Sequence, residues 1–148
     1  MERPPVRLLL ADDDADDRMF FKDALEELPV KSLLNTVNDG EQLINLLTSE
    51  SAVLPDLLFL DLNMPRKTGF ECLDEIKRNE KLRSLPVIIY STSLNKEVVD
   101  LLYEKGAHRY IRKPGDFSSL KKVIHEAIID FLQNIKTQPG KENFVIQI

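Results

Sequence analysis

Leu57-Leu58-Phe59-Leu60-Asp61-Leu62-Asn63-Met64-Pro65 is the stretch that decides the fold. Four apolar residues without polar alternation suit a strand of a parallel sheet covered on both faces. The run stops at a carboxylate, and Pro65 sets a turn soon after. A charged group at the tip of a buried strand is placed for chemistry, and the chain repeats the arrangement. Val6 to Ala11, almost wholly apolar, leads into Asp12-Asp13-Asp14. Val87 to Tyr90 leads into Ser91-Thr92-Ser93, and Ala107 to Arg112 leads into Lys113-Pro114. Leu33 to Val37 is more polar, as an edge strand can be.

Helical patterns separate these runs. From Asp16 to Leu28, Phe20, Phe21, Ala24, Leu25 and Leu28 recur at helical spacing. Leu43, Ile44, Leu46 and Leu47 mark a helix after Gly40, and Phe70, Leu73 and Ile76 mark another after Gly69. Val98, Val99, Leu101 and Leu102 mark a fourth, closed by Gly106. The last starts at Asp116 and carries Leu120, Val123, Ile124, Ala127, Ile128, Phe131 and Leu132. Strand and helix alternate five times, which predicts an α/β parallel sheet flanked by helices. Crossovers in such sheets are right-handed. Ligands bind beyond the carboxyl ends of the strands, where this sequence puts its acids, hydroxyls and lysine.

The chain has 148 residues, the size of one domain. Its net charge of -5 argues against a nucleic-acid partner. Lys77, Arg78, Lys81 and Arg83 form the only local positive excess, expected as a solvated helix end and loop. Cys72 is the single cysteine, so no disulfide forms within the chain, and a reducing compartment is favoured. The opening Met1-Glu2-Arg3-Pro4-Pro5 leads to an apolar run too short for a secretory signal. No stretch approaches a transmembrane length. A cytoplasmic protein without a membrane partner is expected.

The domain is expected over residues 6–134, with 135–148 as a separate tail. Gln138-Pro139-Gly140-Lys141 signals a turn. Phe144, Ile146 and Ile148 then alternate with Val145 and Gln147 in a strand-like pattern. The tail either folds back, frays into disorder, or adds to a sheet edge in this or another subunit.

Each strand-end group has an ordinary reading and a chemical one. Asp14, Asp16 and Asp17 suit a helix cap and first turn. Asp12 and Asp13 lie nearer the strand, where packed like charges repel unless a hard divalent cation such as Mg²⁺ relieves them. Asp61 is either a turn acid or a nucleophile for phosphorus, forming an acyl phosphate. Such chemistry needs charge neutralisation, which a metal and the long-stemmed Lys113 would supply. Ser91 offers a hydroxyl to a phosphoryl oxygen. Pro114 after Lys113 points to a fixed turn, cis or trans.

Taken together, Leu9 to Asp14, Asp61 to Pro65 with Gly69, Pro86 to Thr92 and Gly106 to Pro114 resemble a bacterial two-component response-regulator receiver domain over residues 6–134. The resemblance implies the flavodoxin-like (βα)5 doubly wound sheet of order 2-1-3-4-5, an order for which the family already serves as an example. It implies that Asp61 is the phosphoacceptor. Asp12 and Asp13 would serve a Mg²⁺ site with Asp61 and the backbone carbonyl of Asn63, and Lys113 would contact the phosphoryl group. The family's spacing to Arg18 selects Asp12 and Asp13 over Asp13 and Asp14. Ser91 would be the hydroxyl that shifts toward the phosphoryl group, and Tyr110 the aromatic that changes rotamer with it. The segment 79–85 and the tail are similar to a stand-alone subset that includes regulators of phytochrome-type kinases.

The implied function is a response regulator, a phosphoacceptor switch and not an enzyme. It takes a phosphoryl group from a sensor histidine kinase or histidine phosphotransfer protein, with no attached output domain. Output then runs through contact with an unknown output protein, or through a homodimer formed by the last helix and tail, with Arg112 and Lys105 facing its acids. An aspartate-nucleophile phosphatase is the enzymatic rival. It needs a second acid two residues after the nucleophile, where this chain has Asn63. His108 and His125 read as surface or boundary residues outside the site.

Overall fold

Strands and helices alternate as the hydrophobic pattern requires. The order is β1 (Val6–Ala11), α1 (Ala15–Glu26), β2 (Ser32–Val37), α2 (Gly40–Thr48), β3 (Leu57–Leu60), α3 (Gly69–Arg78), β4 (Val87–Ser91), α4 (Lys96–Glu104), β5 (Arg109–Arg112) and α5 (Phe117–Leu132). The computed structural model describes residues 4–133 and 137–146. All five strands are parallel, in the order β2-β1-β3-β4-β5, the flavodoxin-like arrangement.

Every residue of β3 and β4 is buried, which explains their unbroken apolar runs. Successive side chains point to opposite faces. Leu8, Leu10, Leu57 and Phe59 join Phe21, Leu25, Ile124 and Ile128 of α1 and α5 in one core layer. Leu9, Leu58, Leu60 and Ile89 join Leu43, Leu73, Ile76 and Leu102 of α2, α3 and α4 in the other. β2 is one edge of the sheet and is only partly covered.

Each helix starts at a side-chain cap, and such caps contribute about 1 kcal/mol each. Asp14 accepts from the N–H groups of Asp16 and Asp17, Asp39 from Gln42, Asn95 from Glu97 and Val98, and Asp116 from Ser119. Thr68 and Glu71 form a reciprocal capping box at α3. Helix α4 closes with Gly106 at φ 94°, a left-handed conformation that glycine adopts freely. Strand β5 begins at Arg109, two residues later than Ala107, because the Ala107 N–H still satisfies the Leu102 carbonyl of α4. The segment 79–85 is a tight turn that buries Leu82 and Leu85.

Residues 137–146 lie against β5 and α4. A 3₁₀ turn at Lys141–Asn143 delivers Phe144, which is fully buried. Its ring packs edge-on against Tyr103 at 5.1 Å and Tyr110 at 6.3 Å. The Tyr110 N–H donates to the Phe144 carbonyl at 3.0 Å, and the Ile146 N–H donates to the Tyr110 carbonyl at 2.9 Å. The contact is a single parallel bridge, Tyr110 to Val145, and not a full strand. Gln138 donates to the carbonyls of Tyr103 and Ala107, and the Tyr103 hydroxyl donates to the Pro139 carbonyl. Of the strand-like tail pattern, Gln147 and Ile148 lie outside the described residues, as do residues 134–136.

The charges suggested for a dimer face are largely used within the chain. Lys105 pairs with Asp74 of α3 at 2.9 Å, and Arg109 takes Glu126 and Asp130 of α5. Arg112 stays exposed.

Candidate functional site

Three site residues stand one position past a strand, and ladder hydrogen bonds fix all three. The Asp12 N–H donates to the Val37 carbonyl, that of Asp61 to Ala11, and that of Lys113 to Ser91. Each side chain therefore leaves a rigid backbone at the carboxyl edge of the sheet. The Lys113–Pro114 peptide is trans.

Oxygens of Asp12, Asp13 and Asp61 all lie within 4.8 Å of one another. Asp12 and Asp61 are buried, while Asp13 is exposed. Lys113 Nζ is 2.8 Å from Asp12 Oδ2, 2.8 Å from Asp17 Oδ2 and 3.5 Å from Asp61 Oδ2. The approach to Asp12 is an ion pair at an angle unsuited to a hydrogen bond, so the fully buried Asp12 Oδ2 is left without a hydrogen-bond donor. Such an atom carries a desolvation cost that a further ligand would relieve.

The charges are unevenly matched, since several acids share one lysine. Burial pushes the Asp61 carboxyl up to about 6; Lys113 opposes this, and the Asp12 charge adds to it. Burial likewise raises Asp12 above the usual carboxylate range, against the pull of Lys113. Burial works against the charge on Lys113, but its ion pairs with Asp12 and Asp17 prevail and hold its pKa above that of an ordinary lysine.

Clustered carboxylates, an orphaned buried oxygen and no sulfur or imidazole donor suit a hard divalent cation. The residues therefore fit the metal that the sequence reading anticipates.

Close packing shapes the loop after β3. The Leu62 N–H donates to Asp61 Oδ1 at 2.8 Å, and the Gly69 N–H to the Leu62 carbonyl at 2.9 Å. A Cβ on Gly69 would meet the Asp61 carbonyl oxygen at 2.2 Å and Leu62 Cα at 2.8 Å. The Lys67 N–H bonds back to the Pro65 carbonyl around Arg66, which has φ 68°. This is the bond of a γ-turn, strained for a residue with a side chain. Asn63 is exposed at the mouth of the site.

Ser91 and Tyr110 are both fully buried. The Ser91 hydroxyl bonds within its own loop, 3.3 Å from the Ser93 hydroxyl. The Tyr110 hydroxyl reaches the same loop and donates to the Ser93 carbonyl at 2.6 Å. Ser93 thus links the two anticipated switch residues.

Sequence reasoning gave Asp17 only a place in the first turn of α1, yet it grips Lys113. Nothing local marks that role, since the contact joins residues 96 apart in the chain. The Arg18 guanidinium donates to the Asp12 carbonyl at 2.7 Å, and Lys113 Nζ lies 5.2 Å from the Tyr90 ring centre. His108, read as a surface or boundary residue, is only 7% exposed.

A family model for the response regulator receiver domain matches residues 8–125. The chain belongs to that family. Response regulator Rcp1 from Synechocystis sp. is 32% identical over 141 residues, covering 93% of this chain and 95% of Rcp1. Among solved structures, the Mn²⁺-bound form of response regulator Rcp1 superposes with a TM-score of 0.77 at 31% identity, covering 92% of this chain and 100% of that one. The phosphorylated cyanobacterial phytochrome response regulator RcpA gives a TM-score of 0.78 at 32% identity, covering 92% of this chain and 99% of that one. This receiver domain thus has phytochrome-associated response regulators among its relatives. No helix among the described residues is long and apolar enough to cross a membrane.

Proposed function

We propose that this receiver domain is a phosphorylation switch whose phosphoacceptor is Asp61. One observation carries the reading: a buried carboxylate at the end of β3, 3.5 Å from Lys113 and grouped with Asp12 and Asp13. RcpA is described as phosphorylated and Rcp1 as Mn²⁺-bound, which supports the same chemistry here.

The donor is a phosphohistidine on a sensor histidine kinase or a histidine phosphotransfer protein. An Asp61 carboxylate oxygen attacks phosphorus, forming an O–P bond as the P–N bond breaks. The departing electron pair stays on the donor imidazole. Lys113 stands where it can pair with a phosphoryl oxygen, and its charge is worth more in a site that excludes water. Asp12, Asp13, Asp61 and the Asn63 carbonyl would hold Mg²⁺, which when bound neutralises charge on the phosphoryl oxygens. Burial raises the Asp61 pKa to about 6 in the metal-free site, and a bound cation would favour the ionised nucleophile.

Addition of a phosphoryl group draws Lys113 and the Ser91 hydroxyl toward Asp61. Ser91 then leaves Ser93, whose carbonyl holds Tyr110. The change reaches the β5, α4 and tail face through Tyr110, so a local charge biases a larger element. Output follows where a partner, or a second copy of the chain, binds one state better than the other. The likeness to RcpA favours a phytochrome-type kinase as donor, and a cytoplasmic setting is part of the same reading. Asn63 stands where a phosphatase would need its second acid, so a switch is favoured over a turnover enzyme.

The test is phosphorylation by acetyl phosphate or a histidine kinase with Mg²⁺. Acid-labile phosphate should form on the native protein and be lost in Asp61→Asn. Equal labelling of Asp61→Asn would sink the assignment.

A further inference from the structure

At the pole of the sheet opposite the acids lies a cavity of about 460 Å³. It sits where β3, β4 and β5 begin, under the last turns of α3 and α5. The volume is that of a small-molecule site. Leu57, Leu85, Ala127 and Phe131 give it an apolar wall.

Its polar wall is mainly cationic, with Lys77, Lys81 and Arg83 against a single acid, Asp56. Asp56 is committed, since its carboxylate accepts from the Arg7 N–H at 2.8 Å. Lys77 is half-buried and gives one bond, to the Arg83 carbonyl at 3.1 Å. Its Cε lies over Gly106, 3.1 Å from where a Cβ there would stand. His108 shares the wall, and among the described residues its imidazole has no hydrogen-bond partner, its nitrogens being open to the cavity. The nearest acid acting on it, Asp130, is held by Arg109.

A helix carboxyl end attracts cations, which accounts for Lys77 and Arg78 in the last turn of α3. It does not account for Lys81 and Arg83 beyond that turn, which bring two more cations to the wall of the same cavity. An imidazole that lines a cavity without a hydrogen bond is free to give one to an occupant or take one from it. Burial also lowers the pKa of both Lys77 and His108, the condition of groups that gain from a nearby negative charge.

We propose that this cavity binds a small organic anion: a carboxylate, phosphate or sulfonate on an aromatic or aliphatic body. The body packs on Phe131 and Leu57, the anionic group faces Lys77, Lys81 and Arg83, and His108 donates or accepts one hydrogen bond. The site is separate from Asp61, because the two lie at opposite ends of the strands.

Two naphthalene probes test this: 1-anilinonaphthalene-8-sulfonate, and N-phenyl-1-naphthylamine, the same ring system without the charge. Both would be titrated into the full chain while the imidazole resonances of His108 and His125 are followed by NMR. The sulfonate should shift His108 in a saturable way, leave His125 unmoved and raise the His108 pKa. Asp61→Asn should bind it equally. The exposed-charge variant Lys81→Met/Arg83→Met, which leaves the core untouched, should weaken the sulfonate by about tenfold and leave the neutral probe unchanged. Lack of a saturable His108 shift, equal binding of both probes, or unaltered sulfonate affinity in that variant overturns the proposal.

Discussion

Lys113 is held by Asp12: its ammonium is 2.8 Å from Asp12 Oδ2 and only 3.5 Å from Asp61 Oδ2. With Asp17 also at 2.8 Å, the lysine sits among three carboxylates. Its removal leaves Asp12, which is 0% exposed, as an uncompensated buried charge. Lys113→Met in EDTA at neutral pH should therefore lose about 3 kcal/mol. Mg²⁺ should restore part of the loss by binding the native state. Urea unfolding with and without the metal measures both. A variant as stable as the parent in EDTA would show that the acids do not depend on Lys113.

Asp61 makes stability depend on pH in a direction opposite to most acids. Its folded-state pKa of about 6 lies above the ordinary value of about 3.9, so the folded form binds the extra proton between them. Stability from this group falls as pH rises through that window and stays reduced above it. The size is on the order of 1–3 kcal/mol. Glu71 and Asp116 have lowered pKa values and act in the other sense, so the comparison must be made against Asp61→Asn. In EDTA, that variant should equal the parent near pH 4 and exceed it at pH 7.5. A constant difference across the range would refute this.

Gly69→Ala should damage the site without touching a site side chain. The new methyl would stand 2.2 Å from the Asp61 carbonyl oxygen, a backbone atom that cannot swing away. Either α3 or the Asp61 loop must move, at a cost of about 2–3 kcal/mol. Phosphorylation by acetyl phosphate should slow while the far-ultraviolet circular dichroism stays native. A variant with parental rate and stability would contradict the packing.

Much of this was legible in the sequence because its causes are local. β1, β3 and β4 are covered on both faces, so their runs are almost wholly apolar, and the residues just past β1, β3 and β5 reach the site. Asp12, Asp61 and Lys113 were therefore visible. Asp17 was not, because its reach to Lys113 depends on how α1 packs beside α5. His108 looked like a boundary residue at the head of a strand. Its burial comes from the turns of α3 and α5 that cover it, and no pattern around it announces them. The need for glycine at position 69 arises from contact with a loop that the sequence places earlier. The tail alternates like a strand, yet only one bridge forms, because the turn at Lys141–Asn143 brings Phe144 into the core first.

Cys72 should be chemically silent in the folded protein. Burial pushes its thiol up to about 12, and Sγ is 3.6 Å from the Gly40 carbonyl. Almost no thiolate exists at pH 8, and no reagent reaches it. Reaction with a disulfide reagent should match the rate of global unfolding and accelerate with urea. Fast labelling in native buffer would mean that α2 and α3 open locally.

Phe144→Ala separates the tail from the domain. Phe144 is fully buried between Tyr103 and Tyr110, and deletion of a buried aromatic from a core costs about 3–5 kcal/mol. Here the loss is capped, because residues 137–146 can undock while both main core layers stay packed. The loss should then equal the docking free energy of the tail, smaller than that range, with local opening ahead of global unfolding. The amide of Ile146 and that of Tyr110 should exchange quickly, since each is bonded across the tail contact. Trypsin should cut at Lys141 while the amides of β1 and β3 keep their protection. If β1 and β3 lose protection together with the tail, then Phe144 belongs to the cooperative core, and the tail is part of the receiver domain itself.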